Sequence, residues 1–369
     1  MAAIDSACGS RTFSWPPPRR RSQRARAFGA TMRRIPRRTE PFAMRAHAIR
    51  VHQHGGPEQL SWDEIEVADP QAGEVLIRHE AIGLNYIDTY HRSGLYAVPL
   101  PAVLGSEGAG TVAAIGPGVS GLAVGDRVAY GGNGPLGAYA EYRTFPADKL
   151  VRVPASIELR TAAAMMLQGM TVEYLIRRLF PVQRGQTVLL HAAAGGVGQI
   201  AVQWLKHIGA TVIGTVGSED KAAIARMLGC DHVVNYRKED VAATVRALTH
   251  GRGVPVVYDG VGRDTFNASL DSLAPRGLFV SFGNASGAVA PFAPALLAAK
   301  GSLFMTRPRL ADYIATRDEL ESSAHALFEV VRGGAVKISV NHSYALRDAA
   351  QAHRDLEARR TTGSVVLLP

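Results

Sequence analysis

Residues 187–198 decide the fold class, and they read Thr-Val-Leu-Leu-His-Ala-Ala-Ala-Gly-Gly-Val-Gly. The first five form a continuous, largely apolar run, which is typical of a strand buried on both faces of a parallel sheet. A helix with one apolar face follows and is predicted to end at Gly209. Residues 193–198 match a dinucleotide-binding fingerprint with alanine in place of the first glycine. The flanking strand and helix favour a pyrophosphate site, and a purely structural turn is the alternative.

The alternation of strands and helices continues on both sides of this stretch. Helices are predicted over residues 161–179 and 219–228, and strands over 211–215, 232–234, 256–258 and 277–282. Pro255 is tolerated because it stands at the start of a strand. Alternation of this kind predicts an α/β protein with a Rossmann, doubly wound parallel sheet covered by helices.

The regions outside this pattern have a different texture. Residues 46–149 contain short strand candidates such as 74–79 and 109–116, and a Gly-Asp turn precedes 127–130. This region is predicted to be a compact all-β unit with tight turns. Near the C-terminus, a helix over 348–360 is predicted to lead into a final strand over 364–368.

The second strand of the Rossmann pattern decides between NAD and NADP. NAD enzymes usually place an acidic residue about 20 positions after the glycines, where it binds the ribose hydroxyls. That position falls at Val216, so no carboxylate repels a 2′-phosphate. Gly217 and Ser218 offer backbone and hydroxyl donors, and Lys221 offers a cation. Tyr236 could close the same pocket with its neighbour at position 237, and the pattern therefore favours NADPH.

Several separated motifs resemble those of one enzyme family. They are residues 54–58 (His-Gly-Gly-Pro-Glu), 85–90 (Asn-Tyr-Ile-Asp-Thr-Tyr), 191–198, 257–259 (Val-Tyr-Asp) and 280–284 (Val-Ser-Phe-Gly-Asn). Together they resemble the zinc-free, zeta-crystallin-like quinone oxidoreductases of the medium-chain dehydrogenase/reductase superfamily, from Met44 to the C-terminus. The resemblance implies a β-rich GroES-like catalytic domain over 44–168, an inserted Rossmann domain over 169–307, and a C-terminal segment, 308–369, that completes the catalytic domain. It also implies a homodimer paired through the cofactor domain.

The resemblance also implies the site residues. The reaction cleft is expected to be lined by Asn85, Asp88, Tyr90 and Tyr96, and the nicotinamide to lie near Asn85, Thr171 and the 282–284 loop. The expected NADPH contacts are Asn85, Tyr86, Thr171, Gly195, Gly196, Val197, Gly217, Ser218, Lys221, Tyr236, Phe282, Asn284, Arg307 and Arg359. Close relatives often have serine at Gly260 and phenylalanine at Tyr86, so one hydroxyl contact near the cofactor is in doubt and the cleft is slightly more polar.

Zinc-dependent relatives carry cysteine where this chain has Asn85 and histidine where it has Ser106. An amide and a hydroxyl are poor zinc ligands, so no metal is expected. Without a Lewis acid, hydride transfer to an electron-poor acceptor such as a small quinone is the expected reaction. Two alternatives stay open at this point. One is reduction of an enoyl or enone compound, and the other is an NADPH-responsive RNA-binding protein with little turnover.

Hydride addition to a quinone builds negative charge on oxygen, which a hydrogen-bond donor must stabilise. Asn85 and Tyr90 are the candidate donors, with Tyr96 in reserve. Each candidate has a structural alternative, since Tyr90 could be a packed core residue and Asp88 could orient a turn. His191 lies within a buried strand and is expected to be a hydrogen-bonded core histidine rather than a catalyst.

Charge and cysteine content limit the other possibilities. Residues 1–43 hold ten arginines and two acids, a charge of +8, whereas residues 44–369 hold 31 basic and 30 acidic groups, a charge of +1. This tail is expected to be disordered. It is dispensable if translation starts at Met44 or Met32, and otherwise a transit peptide or a nucleic-acid arm. The two cysteines exclude a disulfide framework, and no apolar run reaches the roughly 20 residues of a membrane span. A cytoplasmic protein is expected, with an organelle as the alternative and a nucleic-acid partner not expected.

Overall fold

The structure is a computed structural model that describes residues 44–369. The predictions of disorder, of alternative start sites and of a transit or nucleic-acid function for residues 1–43 lie outside the described residues. Within residues 44–369, no helix combines the length and the apolar character that crossing a membrane requires.

Eight strands precede the glycine-rich stretch and form two antiparallel sheets. They are β1 (Met44–Val51), β2 (Leu60–Val67), β3 (Glu74–Leu84), β4 (Ala102–Val103), β5 (Glu107–Ile115), β6 (Arg127–Gly131), β7 (Tyr142–Pro146) and β8 (Val151–Arg152). Strand β1 lies between β2 and β4 in a three-stranded sheet. Strand β3 pairs with both β5 and β7, and β6 joins β5 to β8. The predicted β-rich domain is therefore present.

Six parallel strands follow. They are β9 (Thr187–Leu190), β10 (Thr211–Val216), β11 (His232–Asn235), β12 (Val254–Asp259), β13 (Leu273–Ser281) and β14 (Phe304–Thr306). Their spatial order is β11-β10-β9-β12-β13-β14, so the chain reverses direction across the sheet between β9 and β12. Ligands of open α/β sheets bind at such a switch point, beyond the carboxyl ends of the strands. The predicted Rossmann sheet is confirmed, and its glycine-rich loop opens at the switch point.

The last two strands return to the first sheet. They are β15 (Val340–Ala345) and β16 (Ser364–Leu368). Strand β16 pairs antiparallel with β3, where Val366 lies opposite Gly83, and parallel with β15. The resulting seven-stranded sheet has the order β15-β16-β3-β5-β6-β8, with β7 paired to β3. The Rossmann sheet is thus an insertion between parts of one β-rich sheet.

Eleven α-helices are found in the described part of the chain. They are α1 (Tyr86–Ser93), α2 (Leu159–Ala163), α3 (Met166–Glu173), α4 (Gly196–Ile208), α5 (Glu219–Met227), α6 (Val241–Leu248), α7 (Phe266–Ser272), α8 (Ala295–Ala299), α9 (Leu310–Tyr313), α10 (Arg317–Arg332) and α11 (Ala349–Glu357). A π-helical turn, Tyr174–Leu179, continues α3. Gly209 ends α4 in the left-handed conformation, with φ of 90°, as the sequence predicts.

Helix α3 packs in a core shared by the two large sheets. This core contains Ala81 and Ala109 from the β-rich sheet as well as Val188 and Leu190 from the Rossmann sheet. The predicted domain border between residues 168 and 169 falls inside α3, because this helix lies in the core that the two sheets share. The borders given above therefore stay a prediction.

Three local expectations need correction. The predicted helix over 161–179 is broken, because α2 ends at Ala163 and α3 starts afresh at Met166. The region 46–149 is not all β, since it contains α1. Strand β12 starts at Val254 rather than at 256, and Pro255 lies at its start as predicted, at a register irregularity between Val254 and Val256 that accommodates its missing N–H.

Close approach of β3 and β5 depends on glycine. A Cβ on Gly110 would lie 2.0 Å from the backbone oxygen of Arg78. We expect Gly110→Ala to lower the free energy of unfolding by about 3 kcal/mol, the upper end of overpacking costs. Gly73→Ala is the control, because Gly73 has a φ of +82° but no atom within 4 Å. It should cost about 1 kcal/mol, from left-handed strain alone. Equal losses in urea unfolding would contradict the steric explanation.

Candidate active site

Helix α1 positions the candidate catalytic residues. Asn85 precedes it in an extended conformation, and its backbone N–H donates to Asp88 Oδ2 at 2.9 Å. This cap fixes the start of the helix, with Asn85 as the single residue between β3 and α1. An Asn followed three residues later by an acid is the signal that could have predicted α1 from the sequence.

The Asn85 side-chain amide is held from both sides. Its Nδ2 donates to Glu107 Oε2 at 2.7 Å, and its Oδ1 accepts from Gln168 Nε2 at 3.0 Å. The residue is 6% exposed. Within residues 44–369 no acceptor is seen for the second Nδ2 hydrogen.

Asp88 faces the protein interior rather than the cleft. Its side chain is completely buried and accepts from Ser106 Oγ at 3.2 Å and from the Tyr139 hydroxyl at 3.0 Å. Burial raises the pKa of the Asp88 carboxyl to about 7. The expectation that Asp88 lines the cleft is corrected, because the cap at Asn85 turns its carboxyl inward. The turn-orienting alternative fits the structure instead.

A buried polar chain connects Asp88 to the C-terminal helix. The Tyr139 hydroxyl lies 3.1 Å from His353 Nε2, and Arg92 Nη1 lies 3.0 Å from His353 Nδ1. Because arginine can only donate, His353 accepts at Nδ1 and donates from Nε2 to Tyr139. Burial lowers the pKa of His353 to about 3, so the ring is neutral. Arg92 is paired with Glu357 at 2.7 Å. This chain fixes α1 against α11.

Tyr90 and Tyr96 gather with the loop after β13. The Tyr90 hydroxyl accepts from the Asn284 backbone N–H at 2.9 Å, and the Tyr96 hydroxyl accepts from Arg307 Nη2 at 3.0 Å. The two rings meet edge-on at 5.2 Å. Burial raises the pKa of Tyr90 to about 12, so its hydroxyl stays protonated and can donate. The ring is buried, as the packed-core alternative requires, and Tyr90 also lines a cavity of about 260 Å³.

The glycine-rich loop leaves room for a phosphate on one side and packs tightly on the other. A Cβ on Gly195 would meet a single atom within 4 Å, the Ala192 oxygen at 3.3 Å. A Cβ on Gly198 would lie 2.2 Å from that same oxygen, so helix α4 packs against the loop through glycine. Gly196 and Val197 begin α4, whose free N–H groups suit an anion. The C-terminal segment crosses the loop, where Gly363 bridges to Gly195.

A cationic pocket lies beyond β10. Lys221 Nζ donates to the Arg359 backbone oxygen at 2.7 Å, and Arg359 Nη1 approaches the Tyr236 hydroxyl at 3.4 Å. Ser218 caps α5 at the same place. Burial, together with the neighbouring arginines, lowers the pKa of Lys221, as expected for a group of cations without an anion between them. A Cβ on Gly217 would lie 2.4 Å from the Tyr236 hydroxyl, so glycine lets the tyrosine close in.

Two acidic residues lie near this pocket: Asp264 Oδ2 lies 3.7 Å from Arg359 Nη2, whereas Glu219 is directed elsewhere. Glu219 Oε1 accepts from Asn235 Nδ2 at 2.9 Å and from Lys238 Nζ at 3.0 Å. Thr171, which is predicted to lie near the nicotinamide, is buried on α3. The pocket of Ser218, Lys221, Tyr236 and Arg359 can therefore hold a 2′-phosphate.

His191 is a fully hydrogen-bonded core residue, as expected. Its Nδ1 lies 3.0 Å from Thr215 Oγ1 and its Nε2 lies 3.0 Å from Ser269 Oγ. Asp259 accepts from Ser269 at 2.7 Å and also from the backbone N–H groups of residues 261 and 262. These bonds shape the loop that faces Phe282.

The glycine at position 260 has a packing reason. A Cβ there would lie 2.9 Å from the Phe282 ring. Phe282 leads into the 283–284 segment that contacts Tyr90. The ring of Phe282 therefore packs against Gly260, where close relatives often have a serine hydroxyl. Tyr86 uses its extra hydroxyl to donate to the Leu356 oxygen at 3.0 Å, which joins α1 to α11.

Sequence reasoning missed several residues that hold the site. They are Glu107, Gln168, Tyr139, His353 and Ser364. Glu107 adjoins Ser106, so proximity to a motif was a usable signal. The others come from distant segments and carry no local signal. Within residues 44–369 no three His, Cys, Asp or Glu side chains cluster with metal-binding geometry.

Comparison with known proteins places the chain in context. The description "Alcohol dehydrogenase GroES-like domain" matches residues 71–155 and "Zinc-binding dehydrogenase" matches 196–328. The quinone oxidoreductase of Pseudomonas aeruginosa is 51% identical over 325 residues, 88% of this chain and 100% of that protein. The 2-haloacrylate reductase of a Burkholderia species is 46% identical over 327 residues, 86% of this chain and 98% of that protein. The crystal structure of Escherichia coli quinone oxidoreductase complexed with NADPH matches with a TM-score of 0.86 and 48% identity, over 88% of this chain and 100% of that one.

The buried acids make stability depend on pH above neutrality. Burial raises the pKa of Glu107 to about 8, so the folded protein keeps a proton that the unfolded chain releases. Unfolding therefore releases protons, and stability falls as the pH rises from 6.5, the ordinary pKa of the histidines, to about 8. Below pH 6.5 the buried neutral His79 and His353 act in the opposite direction.

In wild type, the free energy of unfolding should fall between about pH 7 and about pH 8, and Glu107→Gln should lose this fall. Asp88, with a pKa of about 7, contributes little to it, so the effect isolates Glu107. Urea unfolding at several pH values measures it. Glu80→Gln, at an exposed position on β3, is the control and should keep the wild-type slope. An unchanged slope in Glu107→Gln would show that this carboxyl is ionised in the folded protein.

Proposed function

The chain belongs to the quinone oxidoreductases of the medium-chain dehydrogenase/reductase superfamily, and we propose that it transfers a hydride from NADPH to a small quinone without a metal ion. The observation that carries the proposal is that one segment, residues 359–364, contacts both groups of candidate residues. Arg359 contributes to the cationic pocket with Lys221, and Ser364 donates to Gln168, which in turn donates to Asn85.

The residues present fit NADPH. The open face of Gly195 accepts the pyrophosphate, and the N-terminus of α4 offers it N–H groups. Lys221 and Arg359 supply positive charge for the 2′-phosphate, with Ser218 and Tyr236 as further donors. Asn85, Thr171, Phe282, Asn284 and Arg307 surround the nicotinamide end. The E. coli relative, whose crystal structure is a complex with NADPH, supports NADPH as the cofactor.

NADPH supplies the hydride, and the chain's own residues prepare the acceptor. The free Nδ2 hydrogen of Asn85 and the hydroxyl hydrogen of Tyr90 donate to the oxygen that gains negative charge. Tyr96, polarised by Arg307, is a further donor. The tyrosines and the 282–284 loop exclude water from the acceptor. A general acid is not required, because the hydroquinone anion can take its proton from water once it has left the site.

The two residues that stand where zinc-dependent relatives carry zinc ligands make hydrogen bonds within the protein. Asn85 is bound between Glu107 and Gln168, and Ser106 donates to Asp88. Neither an amide nor a hydroxyl is a favourable zinc ligand. These positions support a metal-independent reaction on an acceptor that is already electron-poor.

Reduction of a conjugated carbonyl compound is the second candidate function. The 46% identity to a 2-haloacrylate reductase favours it. The same donors would serve, because negative charge also builds on a carbonyl oxygen there. The RNA-binding alternative depends on residues 1–43, which lie outside the described residues, while residues 44–369 are nearly neutral.

A homodimer is part of the proposal. Strand β14 is the edge of the Rossmann sheet, and Phe304 on it is 62% exposed. An unpaired edge strand with an exposed aromatic residue suits pairing with a second copy. A cytoplasmic location also belongs to the proposal, and the buried free thiol of Cys230 suits a reducing compartment.

The proposed reaction is tested by following NADPH oxidation by the full chain. The acceptors are benzoquinone, phenanthrenequinone and a small enone, each with and without a chelator. We expect turnover of the quinones that is insensitive to the chelator and faster with NADPH than with NADH. Turnover of the enone alone would favour the second candidate, and loss of activity with chelator would contradict the metal-free reaction.

Lys221→Met should weaken NADPH binding selectively. A charge-assisted bond to a phosphate contributes about 1.5–3 kcal/mol, so the Kd for NADPH should rise about 10- to 100-fold. The Kd for NADH, which lacks the phosphate, should stay the same. Lys337→Met, at an exposed position, is the matched control. Equal weakening for both nucleotides, measured by fluorescence titration, would place Lys221 outside the phosphate pocket.

Phe304→Asp should produce a monomer. A charge on the β14 edge would be buried against its symmetry mate, which costs several kcal/mol. Light scattering measures the mass in solution. Met227→Asp is the control, because Met227 is 79% exposed on α5. A dimer that persists in Phe304→Asp would place the interface elsewhere.

A further inference from the structure

The Asn85 amide is clamped by side chains that have no part in the proposed chemistry themselves. We propose that Glu107 and Gln168 are positioning residues that orient the Asn85 amide so that its free N–H faces the acceptor. This inference rests on the proposed function, because it concerns the residue that stabilises charge in that reaction.

The clamp permits a single orientation of the amide. Glu107 Oε2 can accept from Nδ2, and Gln168 Nε2 can donate to Oδ1. A flipped amide would set Oδ1 against the Glu107 oxygen and Nδ2 against the Gln168 amide nitrogen, which gives two repulsive contacts. One Nδ2 hydrogen is thus always consumed by Glu107, and the other keeps one direction.

Glu107 is itself immobile. It is completely buried, and its Oε1 accepts from the Leu167 backbone N–H at 2.8 Å, at the start of α3. A Cβ on Gly83 would lie 2.2 Å from Glu107 Oε2, so β3 closes over the carboxyl. The first helical turn also offers it a favourable dipole. Because this acceptor is fixed, the Asn85 amide that donates to it is also fixed.

The single orientation of the amide requires Glu107 Oε2 to accept from Asn85. Burial raises the pKa of Glu107 to about 8, with a further contribution from the nearby Asp88 carboxyl. A proton on Oε2 would donate to Oδ1 of a flipped amide, so the orientation is fixed when Oε2 carries no proton.

Gln168 links the clamp to the cofactor loop. Its Oε1 accepts from Ser364 Oγ at 2.9 Å, and its Nε2 donates to Asn85 Oδ1. A Cβ on Gly196 would lie 2.2 Å from the same Oε1. Hydrogen bonds therefore run in one direction from Ser364 through Gln168 and Asn85 to Glu107, and the phosphate loop packs on the middle of this chain.

The test is a double-mutant cycle on quinone reduction. Glu107→Gln leaves a single side-chain oxygen to accept from both Asn85 Nδ2 and the Leu167 N–H. Gln168→Met removes the group that donates to Asn85 Oδ1. Each is expected to lower kcat about 10- to 100-fold, the loss of an aligned donor in a polar site. The Kd for NADPH should change by less than about twofold in Glu107→Gln, since this residue lies away from the phosphate loop.

The decisive comparison is made in an Asn85→Ala background. There, Glu107→Gln and Gln168→Met should lower kcat by less than about twofold, because the amide they orient is gone. The same losses in both backgrounds would overturn the proposal, as would a wild-type kcat in the single variants. Glu80→Gln and Gln183→Met, at exposed positions, are matched controls and should show wild-type kinetics.

A second measurement does not depend on activity. If the wild-type chain reduces no quinone, the proposed function fails, and the clamp is then judged by crystallography. In the crystal structure of Gln168→Met, the Asn85 side chain should leave its wild-type position and lose the 2.7 Å contact with Glu107. An unchanged Asn85 would overturn the positioning role. Gln168→Met also serves if Glu107→Gln does not fold.

Discussion

The buried carboxyl of Glu107 connects the elements on which this structure depends. It lies at the first residue of β5, accepts the N–H of Leu167 at the start of α3, and accepts the amide of Asn85 ahead of α1. Helix α3 packs in the core shared by the two large sheets. One side chain therefore joins the β-rich sheet, the helix between the domains and the candidate catalytic amide. A carboxyl can do this because each of its oxygens accepts a hydrogen bond, whereas an apolar residue would leave both N–H groups without partners.

The C-terminal segment imposes the second constraint. It contributes Arg359 to the cationic pocket, Gly363 to the contact with the glycine-rich loop, and Ser364 to the chain that ends at Asn85. These residues lie within six positions of one another, because the segment runs along the cleft before β16 enters the sheet beside β3. The pairing of β16 with β3 thus fixes both ends of the site at once. Displacement of this strand would disturb phosphate binding and amide orientation together.

The Rossmann half was predictable from the sequence because its signals are local. The strand–helix alternation, the spacing of the glycines and the absence of an acid at Val216 lie within about 30 consecutive residues. The inward direction of Asp88 was not predictable, because it depends on where α1 begins relative to β3. The break near Met165 was missed for a similar reason, since the N–H of Leu167 at the start of α3 donates to Glu107, 60 positions earlier in the chain. Gln168 and Ser364 meet across 196 residues, and no pattern in either segment indicates that contact.

In the proposed reaction, the distribution of charge separates a cofactor-binding end of the site from a reacting end. Cationic groups gather where a phosphate keeps its charge throughout the reaction, around Lys221 and Arg359. At the reacting end the donors Asn85 and Tyr90 are neutral, and the nearby acids are held close to their protonated forms by burial. Hydrogen bonds from neutral donors that are oriented in advance become stronger as negative charge develops on the acceptor oxygen. The same donors bind the uncharged acceptor only weakly. Binding strength therefore comes from the end that does not react, and the reacting end stabilises the change in charge.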